Sequence, residues 1–399
     1  MRKNLRRMVM GLLPTFAASV MSDGAGAQAV PEWQTLLERI VNINSGTRNI
    51  EGLEAVRQVL IPEFEKVGLA VTTHELEDSH KLLSMAVPGG RPELLLMGHI
   101  DTVFEKDSGF QQYERRGDSI YGPGVIDMKG GIVLMLELLQ AYGGSDQLGK
   151  FMVLINDDEE IGSPYSKALV KELADDVPWG LVFEPGLPGG AVVTSHSGVY
   201  WLTLTVEGKA AHAGLEPQLG ISACVELSDK VVRLSKLSDY DRNLSVNVGS
   251  IKGGTKPNVV CESAEAGIDI RFVEQDDLDG ALAAIQTIAD EMSVYNDVLG
   301  AAPTASLDTV VAIPSMPSNR TERLYGLLEI AGKKTGQDVS GRHVGYASDG
   351  NQLADIGMDL LVGLGPYGGG MHTDEERLVV STFEERLDLS RALVEEILK

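Results

Sequence analysis

Two cysteines in 399 residues are too few for a metal site built on thiolates, and 34 Lys plus Arg against 58 Asp plus Glu leave a net charge of −24. Such an acidic chain is not built to grip a phosphate backbone, so nucleic acid is excluded as the partner. No GxxxxGK[ST] occurs, which removes the common phosphate loop. Beyond the first thirty residues no apolar run is long enough to span a bilayer. Aromatic residues make up 5% and form no stripe. Hydrophobic residues make up 43%, ample for packed cores, and the length suggests two or three domains.

Residues 1–29 open with Arg2, Lys3, Arg6 and Arg7, continue through an apolar stretch interrupted by Pro14, and end in small residues at Ala27 and Ala29. That order is the order of a secretory signal, so export to the periplasm or outside the cell is expected, with cleavage before Val30. An exported chain could pair Cys224 with Cys261. One lies on an expected helix and one beside an expected strand, both among apolar neighbours, and buried free thiols are expected.

Five short islands carry the chemistry: His99 and Asp101 in MGHIDTV, Asp127 in GPGVIDMKGG, Glu159 and Glu160 in NDDEEIGS, Glu184 in FEP, and His372 in GGGMHTDEE. LLLMGH, FMVLIN and GLVF are apolar runs that stop abruptly at a polar group, the pattern of buried parallel strands with a crevice at their carboxyl ends. His99 and Asp101, at i and i+2, share a face, so the acid can hold one ring nitrogen while the other meets a metal. Glu159 and Glu160 are adjacent and diverge, which lets one ligate while its neighbour faces a bound water. Glu159 is the candidate general base. Two histidines and three carboxylates as ligands suit zinc, with cobalt or manganese as substitutes. Gly122, Gly124, Gly130 and Gly131 serve turns and close packing. His74, His80, His196 and His343 lack ligand spacing and read as surface or supporting residues.

The islands, in this order, resemble the co-catalytic zinc peptidases and acylases, and the likeness covers nearly all of the chain after its leader. The resemblance implies two Zn2+ per subunit: His99 and Glu184 at one ion, Glu160 and His372 at the other, and Asp127 bridging both. It makes Glu159 the base, has Asp101 support His99, and implies a cis bond between Asp127 and Met128. GKAAHAG matches a family loop whose histidine, here His212, enters the partner subunit's active site and stabilises the tetrahedral intermediate. A homodimer through that region is therefore expected. By the same likeness Arg271 and Asn258, the latter in GGTKPNVV, bind the substrate's carboxylate or acyl oxygen, and Ser348 with Asp349 lines the pocket.

The pattern of elements predicts a three-layer α/β catalytic domain with a mostly parallel sheet, in two parts, 30–197 and 309–399. Between them, residues 198–308 read as an inserted α+β (ferredoxin-like) lid and dimerisation domain of order β-α-β-β-α. The expected activity is hydrolysis of an amide or peptide bond beside a free carboxylate, on a small-molecule or short-peptide substrate. A glutamate at position 184 resembles the family's carboxypeptidase and acylase branch, and the texture around SHSGVYWLTLTVEGKAAHAG is similar to its glutamate carboxypeptidases. By the same likeness GLPGGAVVTSHSG and AIPSMPSN would supply the basic contacts to a glutamate side chain, yet they contain no lysine or arginine. An N-acyl-amino-acid deacylase is the alternative. A noncatalytic binding protein of the same fold is the remote one, and it has no need of Glu159.

Overall fold

The computed structural model describes residues 30–399, so the expected leader lies outside the described residues. An eight-stranded sheet forms the centre of the larger unit. Its middle strand, Leu94–His99, is buried at every position and runs parallel to Phe151–Asn156 on one side and Trp179–Val182 on the other. A strand covered on both faces has no use for alternation, which is why LLLMGH reads as one apolar run. Asp359–Val362 continues the parallel set beside Trp179–Val182. One apolar cluster fills the space under the helices Glu32–Val41, Ile50–Val67, Lys129–Gln140, Glu322–Thr335 and Val380–Ile397. A second, on the other face, packs under Lys167–Ala174 and Asp349–Asp355. The three layers are those expected.

The inserted unit is a four-stranded antiparallel sheet ordered Ser245–Gly253, Ser263–Phe272, Gly198–Glu207, Thr304–Ile313. It has its own core beneath the helices Ala223–Leu234 and Gln275–Asp290. Two expectations are corrected here. The expected crossing back to the larger unit at Asp308 is not there: Asp308 pairs with Thr203 in the middle of Thr304–Ile313, so the lid has a sixth element and the chain leaves it after Ile313. Cys224 and Cys261 are not free thiols: they form a disulfide, with Cα atoms 5.7 Å apart.

A third sheet, of very short strands, matters most for the site. Arg377–Val379 pairs with Ser119–Tyr121, and Gly368–Gly369 pairs with Arg377–Val379. This ribbon carries the loop with Asp127 and the loop with His372 side by side, although 244 residues of sequence lie between them. The helix that follows Asp127 starts hard against the sheet: a Cβ at Gly131 would meet the carbonyl oxygen of Phe183 at 2.0 Å, so no other residue fits there.

Candidate metal centre

Three parallel strands end at one crevice. Leu94–His99 delivers His99, Phe151–Asn156 leads into Glu159 and Glu160, and Trp179–Val182 leads into Glu184. The short ribbon brings in Asp127 and His372. Two groups of ligand atoms result, His99 with Glu159 and Glu184, and Asp127 with Glu160 and His372, each with its atoms within 4.8 Å of one another. Asp127 stands between them: Oδ1 is 3.4 Å from His99 Nε2 and Oδ2 is 3.2 Å from His372 Nε2. Glu184 lies 3.6 Å from His99 Nε2, and Glu160 lies 3.3 Å from His372 Nε2. Glu159 is the most distant carboxylate around His99, at 3.9 Å. The peptide bond between Asp127 and Met128 is cis, and His372 has a φ of 62°. A residue with a side chain is uncommon in that left-handed region, so the loop holds His372 in a costly conformation that aims its ring inward.

Hydrogen bonds outside the cluster fix it. His99 Nδ1 lies 3.2 Å from Asp101 Oδ1. The same carboxylate accepts the backbone N–H groups of Glu159 and Glu160, and the Thr47 hydroxyl at 2.7 Å. Asp101 therefore orients one histidine and positions both glutamates. Three residues emerge that the sequence reading passed over. Glu376 accepts backbone N–H groups from Gly124, Ile126 and Asp127, and so clamps the Asp127 turn. Asp157 pairs with Arg57 and with His80 Nδ1 (2.9 Å), both buried, and anchors the start of the glutamate loop. Lys129, fully buried, donates to the Ile43 carbonyl oxygen at 3.1 Å. His80 is thus a supporting residue, as expected.

Charge in the crevice is out of balance. Burial alone would depress the His99 imidazole, but Glu184, Asp101 and Asp127 outweigh it and hold the ring well above its usual range. Hydrogen bonds to Asp127 and Glu160 raise His372 to about 10. Burial lifts Glu159 well above the usual carboxylate range, with His99 opposing and Glu184, Asp349 and Glu160 adding to it. Burial also pushes Glu160 up to about 7 and Glu376 up to about 8. Both rings are shifted upward by the carboxylates that surround them.

Whether metal ions fit is decided at His99. Its Nε2 is buried, has no hydrogen-bond partner, and faces three carboxylate oxygens. A buried ring nitrogen without a partner costs about 1–3 kcal/mol, and a cation at that point would satisfy it and the surrounding acids together. Neutral imidazole and carboxylate are the donors of zinc and its substitutes. The residues fit.

The lid residues stand apart from this cluster within one chain. His212 is exposed, and its Nδ1 accepts from the N–H groups of Gly214 and Leu215. Its loop is laddered to the loop of Asn258, whose carbonyl oxygen accepts from Ala213 N at 3.0 Å. Arg271 makes two bonds to Asp269, at 2.7 and 2.9 Å, and turns Nη1 toward the carbonyl oxygen of Gly345 at 3.4 Å. Ser348 caps the helix Asp349–Asp355 with its hydroxyl, and lies 3.4 Å from His196 Nε2. Asp349 turns away from solvent to Ser163 and Asn156.

Comparison with known proteins agrees with this architecture. Residues 194–296 match a peptidase dimerisation domain, that of the M20 peptidases. The chain is 32% identical to carboxypeptidase G2 of Pseudomonas sp. (strain RS-16), over 90% of this chain and 87% of that one. It is 26% identical to acetylornithine deacetylase of Aliivibrio salmonicida (strain LFI1238), over 63% of this chain and 71% of that one. Aminopeptidase PepT of Bacillus cereus shares the fold with a TM-score of 0.75 at 22% identity, covering 92% of this chain and 98% of that one. The chain belongs to the M20 peptidase family, and it is a metallopeptidase or amidohydrolase.

Proposed function

We propose that the protein is a two-zinc exopeptidase of the carboxypeptidase type, which hydrolyses the amide bond of an N-acylated or C-terminal amino acid and releases that amino acid. The observation that carries this reading is Asp127, with one oxygen toward each imidazole and a separate glutamate beside each. His99 and Glu184 would hold one ion, Glu160 and His372 the other, and Asp127 both. Bound there, zinc supplies Lewis-acid polarisation and lowers the pKa of water.

The chain's own residues do the rest. Glu159, the most distant of the three carboxylates around His99 Nε2, takes a proton from the attacking water and gives it to the leaving nitrogen. Asp101 keeps Glu159 in place through its backbone N–H. Arg271 receives the free carboxylate, close to Gly345 and thus to the crevice wall. His212 and Asn258 are exposed and joined to each other rather than to the metal cluster, which supports their acting in a partner copy. The lid has a surface for such a copy: Ser245–Gly253 is an open sheet edge, and Val225, Val232 and Ile251 are each more than half exposed nearby. The disulfide supports an exported protein.

The likeness to acetylornithine deacetylase favours a second reading, in which the acyl group is small and the enzyme is a deacylase. A product screen separates the two. Zinc-loaded protein is incubated with N-acetyl amino acids, N-aroyl amino acids and dipeptides, with and without chelator. Chelator-sensitive release of the carboxylate-bearing amino acid is expected; no release from any of them contradicts the proposal.

A further inference from the structure

The lid joins the larger unit through two arms that lie side by side. The chain enters past Ser197 and leaves past Ile313 and Pro314, and just outside the lid His196 and Met316 exchange backbone hydrogen bonds at 2.9 and 3.1 Å. Elsewhere the units share little. Arg271 Nη1 lies 3.4 Å from the Gly345 carbonyl oxygen, and the Ser315 hydroxyl donates to the Val273 carbonyl oxygen. Among the described residues the lid's ion pairs, from Lys230 with Glu226 to Arg271 with Asp269, are internal to it, and its apolar core is separate from the two cores of the larger unit. The angle between the units is therefore set at the arms.

One side chain holds both arms. Asn351, wholly buried in the helix Asp349–Asp355, donates through Nδ2 to the Ser197 carbonyl oxygen at 3.1 Å and to the Pro314 carbonyl oxygen at 2.7 Å. Its Oδ1 accepts the Ser348 N–H at 2.9 Å. Both amide hydrogens and the amide oxygen are thus in use, which an aspartate of the same shape, with no hydrogen to give a carbonyl, does not reproduce.

The same turn of helix grips the glutamate loop. Asp349, also buried, accepts from Asn156 Nδ2 at 2.9 Å and from the Ser163 hydroxyl at 2.5 Å. Asn156 ends the strand that leads into Glu159 and Glu160, and Ser163 follows the turn that carries them, so Asp349 holds that loop at both ends. The outgoing arm touches the loop as well: a Cβ at Gly162 would stand 3.4 Å from Ile313 Cδ1. Hinge and glutamate loop share one support.

We propose that Asn351 is a positioning residue, which fixes both arms of the hinge on the helix turn that holds the glutamate loop and so sets the angle at which the lid meets the crevice. It acts through the hinge and not on the reacting atoms. Groups divided between two bodies meet in working geometry only if the joint between those bodies is defined. The inference goes beyond the proposed function, and its first test needs no substrate.

That test is the distance between spin labels at Lys236→Cys in the lid and Glu329→Cys in the larger unit, both exposed positions, read by double electron–electron resonance on zinc-loaded protein diluted with unlabelled protein. Cys224 and Cys261 are paired with each other, which leaves the labels specific. Asn351→Leu removes all three bonds and should displace and broaden the distance distribution, with the far-UV circular dichroism unchanged. Asn351→Ser, whose hydroxyl serves one carbonyl, should do so to a smaller extent. On the substrate that the product screen identifies, Asn351→Leu should lower kcat/KM on the order of 100-fold, the cost of a misplacement of about 1 Å. Wild-type distances in both variants overturn the inference, and so does a displaced lid with unchanged kcat/KM. Loss of the folded chain in both variants overturns it too, because Asn351 would then serve the core and not the hinge. Hydrolysis of no substrate by the wild type overturns the functional reading, and the distances still decide this one.

Discussion

The metal crevice and the lid hold their candidate functional groups by opposite means. In the crevice, acids and imidazoles are buried at strand ends and held by hydrogen bonds from other buried groups, so their geometry is set before anything binds. On the lid, His212 and Asn258 are exposed and tied mainly to each other, and Arg271 is spread over Asp269 and Gly345. Rigid placement suits groups that hold ions and move protons. Groups that recognise the substrate, or that act on a partner copy, can sit on a separate body that closes.

That contrast can be broken most sharply at Asp127. Asp127→Ala removes the one carboxylate that faces both imidazoles and is expected to abolish hydrolysis and zinc retention together, measured by turnover and metal analysis. Loss of a partner outside the ligand set costs about 10–100-fold, and this loss should exceed it. A variant that keeps both ions would remove the bridge from the account. On the lid, His212→Ala should leave zinc content intact and lower kcat by about 100-fold, the scale of one lost stabilising donor. If metal is lost instead, the two regions are not separable in the way described.

A smaller effect lies at the wall between them. His196 is buried with its pKa lowered to about 4, so the folded state favours the neutral ring. Its contribution to stability is complete above the unfolded value near 6.5 and is lost as pH falls from about 6.5 to about 4, at most about 3 kcal/mol. Urea denaturation of wild type and His196→Gln across that range should show a steeper decline in the wild type. Parallel curves would mean that the ring does not carry the dependence.

Much of the crevice was legible in the sequence because buried strands advertise themselves. LLLMGH, FMVLIN and GLVF are apolar runs that end at polar groups, and the end of such a run is a position in space. The ribbon that joins Asp127 to His372 was not legible, because strands of two or three residues have no periodicity to read. Glu376 lies in TDEE and looks like any solvated acid until its three backbone N–H partners are seen. On the lid, Thr304–Ile313 was missed because its side chains are mostly exposed and carry Thr, Ser and Asp. The disulfide was missed for a different reason: apolar neighbours speak for burial, but only the distance between Cys224 and Cys261 decides pairing.

The division of labour inside the glutamate pair is the centre of the account, and Glu159→Gln tests it most directly. The variant keeps the side chain's size and removes its capacity to carry a proton. Metal analysis and turnover on one preparation should show two zinc ions per chain, as in the wild type, with hydrolysis reduced by about 10²–10⁴-fold. Turnover close to wild type, or a chain that has lost an ion, would contradict the assignment of Glu159 as the proton carrier beside a metal pair held by its neighbours.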